Sequence, residues 1–437
     1  MNTPLRGGID TYRALAVATG MAMILGLGAC GGGGGGNGPG STELHLVIGN
    51  SLPLSGGSKS LGESGQKASE LAVDQIEQAA ESAGSNHSVR IVNEDQGSDI
   101  DTAVESAKKL VSTDGASCLT GPWSSEAVAQ TAQDVAIPSK VLEISPVATG
   151  DDVADLSDHD LVDSTALPVS TEGEALKKAI ERALGGVEGF TVNVAASNDP
   201  SADTIAQDFI QSWQSDDGTV GGQIAIAPPP LSNQASQITG NSPDAVLLVD
   251  DPTGFGQLAP ALESNNAWDP ATAWGNDQLV SPGIPEEVGS DTVEGMHALA
   301  PGSPEGDENT SAFVEDFESV SPRRVQPAPF AAQEFDATIL CYLAAVAAGS
   351  TDGQKMADEL IDITAPGGTE YSWQQLPEAV KALEDGKDID YTGASGPIDM
   401  DVHGNPTNGV FDIYQYASGG LKEVGEIAVE KPNPATL

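Results

Sequence analysis

Leu44-His45-Leu46-Val47-Ile48-Gly49 is a short apolar run closed by glycine, the pattern of a strand buried inside a sheet. The period then changes. Leu71, Ala72, Gln75, Ile76 and Ala79 recur at helical spacing and predict a helix from about Gly62 to Glu81. Val89–Val92 reads as the next strand, and Val104, Ala107, Leu110 and Val111 mark the next helix face. A strand over Ser117–Thr120, a helix over Ser125–Val135 and a strand over Val141–Ser145 follow. Strands that alternate with helices predict parallel sheets of the doubly wound α/β class.

The pattern restarts further on. Glu174–Ala183 reads as a helix, Thr191–Ala195 as a strand and Ile205–Trp213 as a helix. Gln223–Ile226 and Ala245–Val249 read as strands, and Leu258–Leu262 as helix. A second α/β lobe is the simplest account. A long Ala-rich helix, Ala331–Ala348, comes later, and no fixed-period repeat is present.

Aromatic residues make up only 4% of the 437 residues against 39% hydrophobic, so the cores must be aliphatic. There are 65 acidic and 18 basic residues, a formal charge of −47 spread along the chain. That surface repels phosphate backbones and argues against a nucleic-acid partner. It resembles the surfaces of proteins from salty habitats, where screening relieves self-repulsion. It also repels an anionic membrane, so membrane attachment needs another device.

The N-terminus supplies one. Arg6 and Arg13 precede an apolar run, Ala14–Leu27, too short for a comfortable span and suited to a signal-peptide core. It ends in Leu27-Gly28-Ala29-Cys30, which resembles a bacterial lipoprotein signal with Cys30 as the acylated residue. Residues 1–30 are therefore expected to be a leader and 31–42 a Gly-rich tether, with an r.m.s. reach of about 20 Å. Buried acyl chains would anchor the protein. Cys118 and Cys341 remain, either as a disulfide in an oxidising compartment or as two buried thiols.

The sequence offers little catalytic chemistry. His45, His87, His159, His297 and His403 are scattered without metal-ligand spacing, so neither a metal nor a cofactor is expected. Ser64-Gly65-Gln66-Lys67 has an SxxK spacing without the KTG and Ser-Asp-Asn partners of the enzymes that use it. Asp399-Met400-Asp401-Val402-His403-Gly404 opens like a calcium loop, but Val410 stands where a bidentate Glu is required; a turn between two strands, with Gly404-Asn405-Pro406 as its turn residues, is the better reading. The chain is not expected to be an enzyme.

Two polar loops stand out at the carboxyl ends of predicted strands, where open α/β sheets place ligands. They are Gly121-Pro122-Trp123-Ser124-Ser125 and Ser145-Pro146-Val147-Ala148-Thr149. Their hydroxyls and amides suit either a ligand carboxylate or simple helix capping.

With these loops, the chain resembles the branched-chain amino acid type of periplasmic binding protein. Ile48-Gly49, Pro53-Leu54-Ser55-Gly56 and Leu71-Ala72-Val73-Asp74 match the family's opening. Gly121-Pro122, Ser124-Ser125, Ile144-Ser145-Pro146 and Ala148-Thr149 match its ligand loops. Asp336-Ala337, and Tyr391 with Gly393-Ala394-Ser395-Gly396, match later segments. The resemblance implies the type I fold: two doubly wound lobes joined by a three-strand hinge. Lobe one would combine 43–165 with 300–390, and lobe two 166–299 with 391–437.

The resemblance also implies roles. Ser124 or Ser125, Val147, Ala148 and Thr149 would grip a ligand carboxylate, and Trp123 would wall the pocket. Asp277, or else Asp251, would meet the ligand ammonium. The function implied is the extracytoplasmic substrate-binding component of an ABC importer, a lipid-anchored monomer that binds a small amino acid or related solute and docks on permease subunits. A sensory receptor of the same fold is the alternative. One departure concerns the ligand: where the family often has Tyr-Gly, this chain has Ser197-Asn198-Asp199-Pro200-Ser201.

Overall fold

The first sheet grows around β1 (Leu44–Leu52), whose Leu44, Leu46, Ile48 and Leu52 are buried. The computed structural model describes residues 43–148, 153, 156–227, 231–304, 306–320 and 329–430. Cys30, the leader 1–30 and the tether 31–42 lie outside them, as does Thr149.

β1 pairs in parallel with β2 (His87–Asp95) and β3 (Cys118–Thr120). Parallel pairing continues to β4 (Leu142–Ser145) and β5 (Val162–Ser164), giving the order β2-β1-β3-β4-β5. Helices cover such a sheet on both faces, which is why β3 and β4 are buried at every position. Lys59–Ala83 and Ala331–Ala348 are the main covering helices. The second is apolar enough to cross a membrane by composition, but 89% of its best window is buried within the protein. Its alanines let it lie close to β1 and to its neighbouring helices. Cys341 on this helix is bonded to Cys118 on β3, with Cα atoms 6.0 Å apart.

The second sheet has the order β14-β13-β10-β9-β8-β6-β7. β6 (Thr191–Ala196), β7 (Thr219–Ala225), β8 (Ala245–Val249), β9 (Ala273–Gly275) and β10 (His297–Pro301) run parallel. β13 (Asn408–Ala417) and β14 (Gly420–Glu430) add an antiparallel hairpin. Its turn holds Ser418 at φ 55° and Gly419 at φ 78°, the left-handed pair that a tight hairpin requires. The alternation in Asn408–Ala417 carries this signal in sequence, half-buried as an antiparallel strand should be. A two-stranded parallel sheet, β11 (Thr369–Ser372) with β12 (Ile389–Thr392), lies at the edge of the first lobe.

The hydrophobic cores assign the chain to its lobes. One core runs from Leu44 to Val162 and from Phe313 to Met400. Leu167–Ala300 and Phe411–Val429 fill two layers on either side of the second sheet. The chain thus crosses between lobes three times. The expected boundary at 390/391 is displaced: Tyr391, Ala394, Ile398 and Met400 pack in the first core, so the last crossing follows Met400. The cause is Asp336, whose buried carboxylate accepts hydrogen bonds from Tyr391 Oη (2.9 Å), Ala394 N (2.8 Å) and Ser395 N and Oγ (2.8 and 2.6 Å). After the crossing begins, Asp401 Oδ1 accepts from His403 N and Asn405 N, so the calcium-like segment is a turn.

The Cys118–Cys341 bond closes a loop with a sequence separation of 223. Chain-entropy reasoning gives such a closure about 5 kcal/mol of stability. The Cys118→Ser/Cys341→Ser double variant is expected to melt several degrees lower in a calorimetric scan, and an unchanged melting temperature would contradict the bond.

Candidate ligand-binding cleft

Every loop predicted to touch ligand leaves the carboxyl end of a parallel strand. β3 leads to Gly121–Ser124 and β4 to Pro146–Ala148; β8 leads to Asp250–Asp251 and β9 to Asn276–Asp277. Both lobes belong to one compact unit, Ser41–Leu437. Between them lies a cleft of about 730 Å³, lined by Pro53, Ser58, Trp123 and Val147 from the first lobe and by Asp251, Asp277, Gln278 and Ser281 from the second. An adjoining recess of about 240 Å³ shares Asp251, Asp277 and Gln278 and adds Ser124, Ser125 and Asp250.

Trp123 is held from three sides. Its backbone N–H donates to Gln96 Oε1 at 2.8 Å. Its ring meets Phe330 edge-on, centroids 6.4 Å apart. Its six-membered ring lies over Gly65, where a Cβ would come within 2.3 Å of Cζ2. Any side chain at position 65 would displace the ring, so Gly65, which the SxxK spacing flagged for another reason, is a seat for the indole.

Several groups in the two loops expected to grip a carboxylate make bonds within the protein. Ser124 Oγ accepts from Ala127 N at 3.3 Å, a helix cap. Ser145 Oγ accepts from Val147 N and Ala148 N at 3.3 and 3.1 Å and donates to Pro122 O at 2.9 Å. Val147 lines the cleft, whereas Ala148 is buried and lines neither cavity. Ser125 lines the recess.

On the second lobe, Asp277 is buried at the cleft wall. Its Oδ1 accepts from Gln278 N (2.7 Å) and Asn276 Nδ2 (3.3 Å), and its own N–H donates to Glu172 Oε1 at 2.7 Å. Asp251 also lines the cleft, but its Oδ1 caps the Pro252–Glu263 helix through Thr253 N and Gly254 N. The carboxylate one residue earlier, Asp250, is buried and lines the recess.

The sequence profile of the periplasmic binding protein family matches residues 46–420. The chain belongs to the periplasmic binding protein family. No curated protein matches it in sequence. The structure is similar to the branched-chain amino acid transporter substrate-binding protein LivJ from Streptococcus pneumoniae, solved with isoleucine, at 19% identity and TM-score 0.68 over 88% of this chain and 99% of that one. It is similar to the leucine-binding protein LivK from Thermotoga maritima at 19% identity and TM-score 0.67, covering 90% of this chain and 100% of that one. A third likeness is to an ABC-transporter solute-binding protein from R. palustris, solved with benzoate, at 22% identity and TM-score 0.63, covering 89% and 98%. The fold is therefore the type I periplasmic binding protein fold, and the chain is a solute-binding protein.

In this binding protein the segment without the Tyr-Gly pair has a different task. Asp199 Oδ1 accepts from Ser201 N and Ala202 N at 2.9 and 3.2 Å and starts the Pro200–Ser215 helix. Ser197, Asp199 and Ser201 face the recess with small polar groups where a ring would fill it.

Asp250, Glu172 and Gln278 were not singled out from sequence. Asp250 carries the same strand-end signal as Asp251, and only the helix cap decides between the neighbours. Glu172 has no local signal, because its contact with Asp277 spans 105 residues.

Burial governs the ionisation of this wall. It pushes Asp250 up to about 7, with the Asp251 charge adding to the effect against an opposing backbone hydrogen bond. It pushes Asp277 up to about 6, against hydrogen bonds from Gln278 and Asn276. Glu172 is raised well above the usual carboxylate range by burial and by the charge of Asp277. Behind Trp123, burial pushes Glu334 up to about 8.

A carboxyl whose folded-state value is raised stabilises the fold below its unfolded value near 4 and loses that contribution as pH rises through the folded value. The unliganded binding protein is therefore expected to melt at progressively lower temperature from pH 5 to pH 8. Asp250→Asn should flatten that slope, and a profile that rises over the range would contradict burial of these groups.

Proposed function

We propose that this protein is the extracytoplasmic substrate-binding component of an ABC importer. The observation that carries the proposal is the cleft itself, built from strand-end loops of both lobes. Trp123 and Val147 stand on one wall, and Asp251 and Asp277 on the other. A solute seated there touches both lobes, so binding and hinge closure are one event. The closed form then docks on permease subunits.

The solute is a small molecule with an ammonium group, an amino acid or a relative of one, and Asp277 is its principal partner. Trp123, Ser124, Ser125 and Val147 wall the other side. The likenesses to a substrate-binding protein solved with isoleucine and to a leucine-binding protein support this class. The expected leader, the lipoprotein signal ending at Cys30 and the Gly-rich tether support a lipid-anchored protein outside the cytoplasm. The protein is a carrier rather than an enzyme, since the sequence presents no nucleophile–base set.

A thermal-shift panel of amino acids, amides, small acids and amines tests this reading. At 100 times its Kd a true ligand adds about 2.7 kcal/mol of stability. At least one member is expected to raise the melting temperature, and Asp277→Asn should weaken that ligand by about 2–5 kcal/mol. No shift with any member would contradict a small-solute receptor.

A further inference from the structure

The described lining of the cleft carries charge of one sign. Asp251, Asp277, Glu286 and Glu287 line the main cavity, Asp250 joins them in the recess, and no Lys, Arg or His is among the described lining residues of either. Acidic residues are common on this chain, so the number alone decides nothing.

Asp250 is the exception. It is 3% exposed and lines the recess. Its Oδ1 accepts from Asp251 N at 3.0 Å, while Oδ2 is buried without a hydrogen-bond partner. A buried carboxylate oxygen normally has one. Asn276 fixes Asp250 beside Asp277: its Oδ1 accepts from Asp250 N at 3.1 Å and its Nδ2 donates to Asp277 Oδ1 at 3.3 Å. Gly254 makes room, since a Cβ there would come within 2.3 Å of Asp250 Oδ1. A single amide thus ties the backbone of Asp250 to the carboxylate of Asp277 at adjacent strand ends.

The first-lobe side contributes Trp123, an aromatic ring of the kind that attracts cations. Its described lining residues include no cation to receive a carboxylate, and the amides of Val147 and Ala148 already donate to Ser145 Oγ. Among the described residues no cluster is suited to a metal ion, and the cleft is roomy enough for an organic molecule.

We infer that the cleft binds an organic ammonium ion of net positive charge, its cationic nitrogen between the carboxylates of Asp250 and Asp277 and the ring of Trp123. This rests on the solute-binding role proposed above and narrows it: a zwitterion such as leucine would bring its carboxylate into an acidic cleft with no described counter-charge.

Isothermal titration of the full chain with choline, 1,4-diaminobutane, L-leucine and benzoate tests the inference. At least one of the two cations is expected to bind at least about tenfold more tightly than leucine or benzoate. Its affinity should fall as sodium chloride rises, and should drop at least about tenfold in Asp250→Asn. If Asp250→Asn fails to fold, the salt dependence and a Trp123→Leu variant, expected to weaken the cation alone, decide instead. Binding of leucine or benzoate in preference to the cations overturns the net charge and leaves the solute-binding role standing. Binding of none of the four overturns both.

Discussion

The carboxylate of Asp336 is buried and takes hydrogen bonds from Tyr391, Ala394 and Ser395. Burial pushes it up to about 6, and those bonds hold it from rising further. Losing them would leave a charge stranded in the core, a large penalty. The bond network pins the segment before the third crossing onto the Ala331–Ala348 helix. Gln333, on the same helix turn, joins the other two crossings: its carbonyl accepts from Thr165 Oγ1 at 2.8 Å and its Nε2 donates to Gly302 O at 3.0 Å. Phe330, just before the helix, meets Trp123. One helix start therefore governs the hinge and one wall of the cleft.

The two walls differ in kind. Trp123 is fixed by packing, on Gly65 and against Phe330, and needs no charge to stay in place. The opposite wall is fixed by hydrogen bonds among Asn276, Asp277 and Glu172, in which carboxylates sit close together at a cost relieved by protonation or by a bound cation. An empty cleft leaves that cost in place, and a cationic solute removes it. Recognition and release from electrostatic strain then have the same origin.

The fold was legible wherever periodicity carries it. Ala331–Ala348 and Ala245–Val249 keep the bounds read from sequence, and most other elements extend the expected ones by a few residues. The β13–β14 hairpin was less legible, since both strands are only partly buried and their alternation is irregular. The candidate site was legible as loops at strand ends, which placed Trp123, Val147 and Asp277 on the cleft. It was less legible in roles. Whether a Ser hydroxyl or an Asp carboxylate serves a helix or a ligand depends on tertiary placement, so only the structure decides that Ser124 and Asp251 cap helices. Asp251 and Asp250 carry the same strand-end signal in sequence, and only the structure shows Asp251 Oδ1 capping the helix while Asp250 Oδ2 lies buried beside Gly254 without a hydrogen-bond partner.

A crystal structure of the full chain grown with saturating choline chloride tests the central claim most directly. The account predicts the two lobes closed on the cation, with its quaternary nitrogen over the Trp123 ring and near the Asp250 and Asp277 carboxylates. An empty cleft, or choline bound away from those three residues, would contradict it.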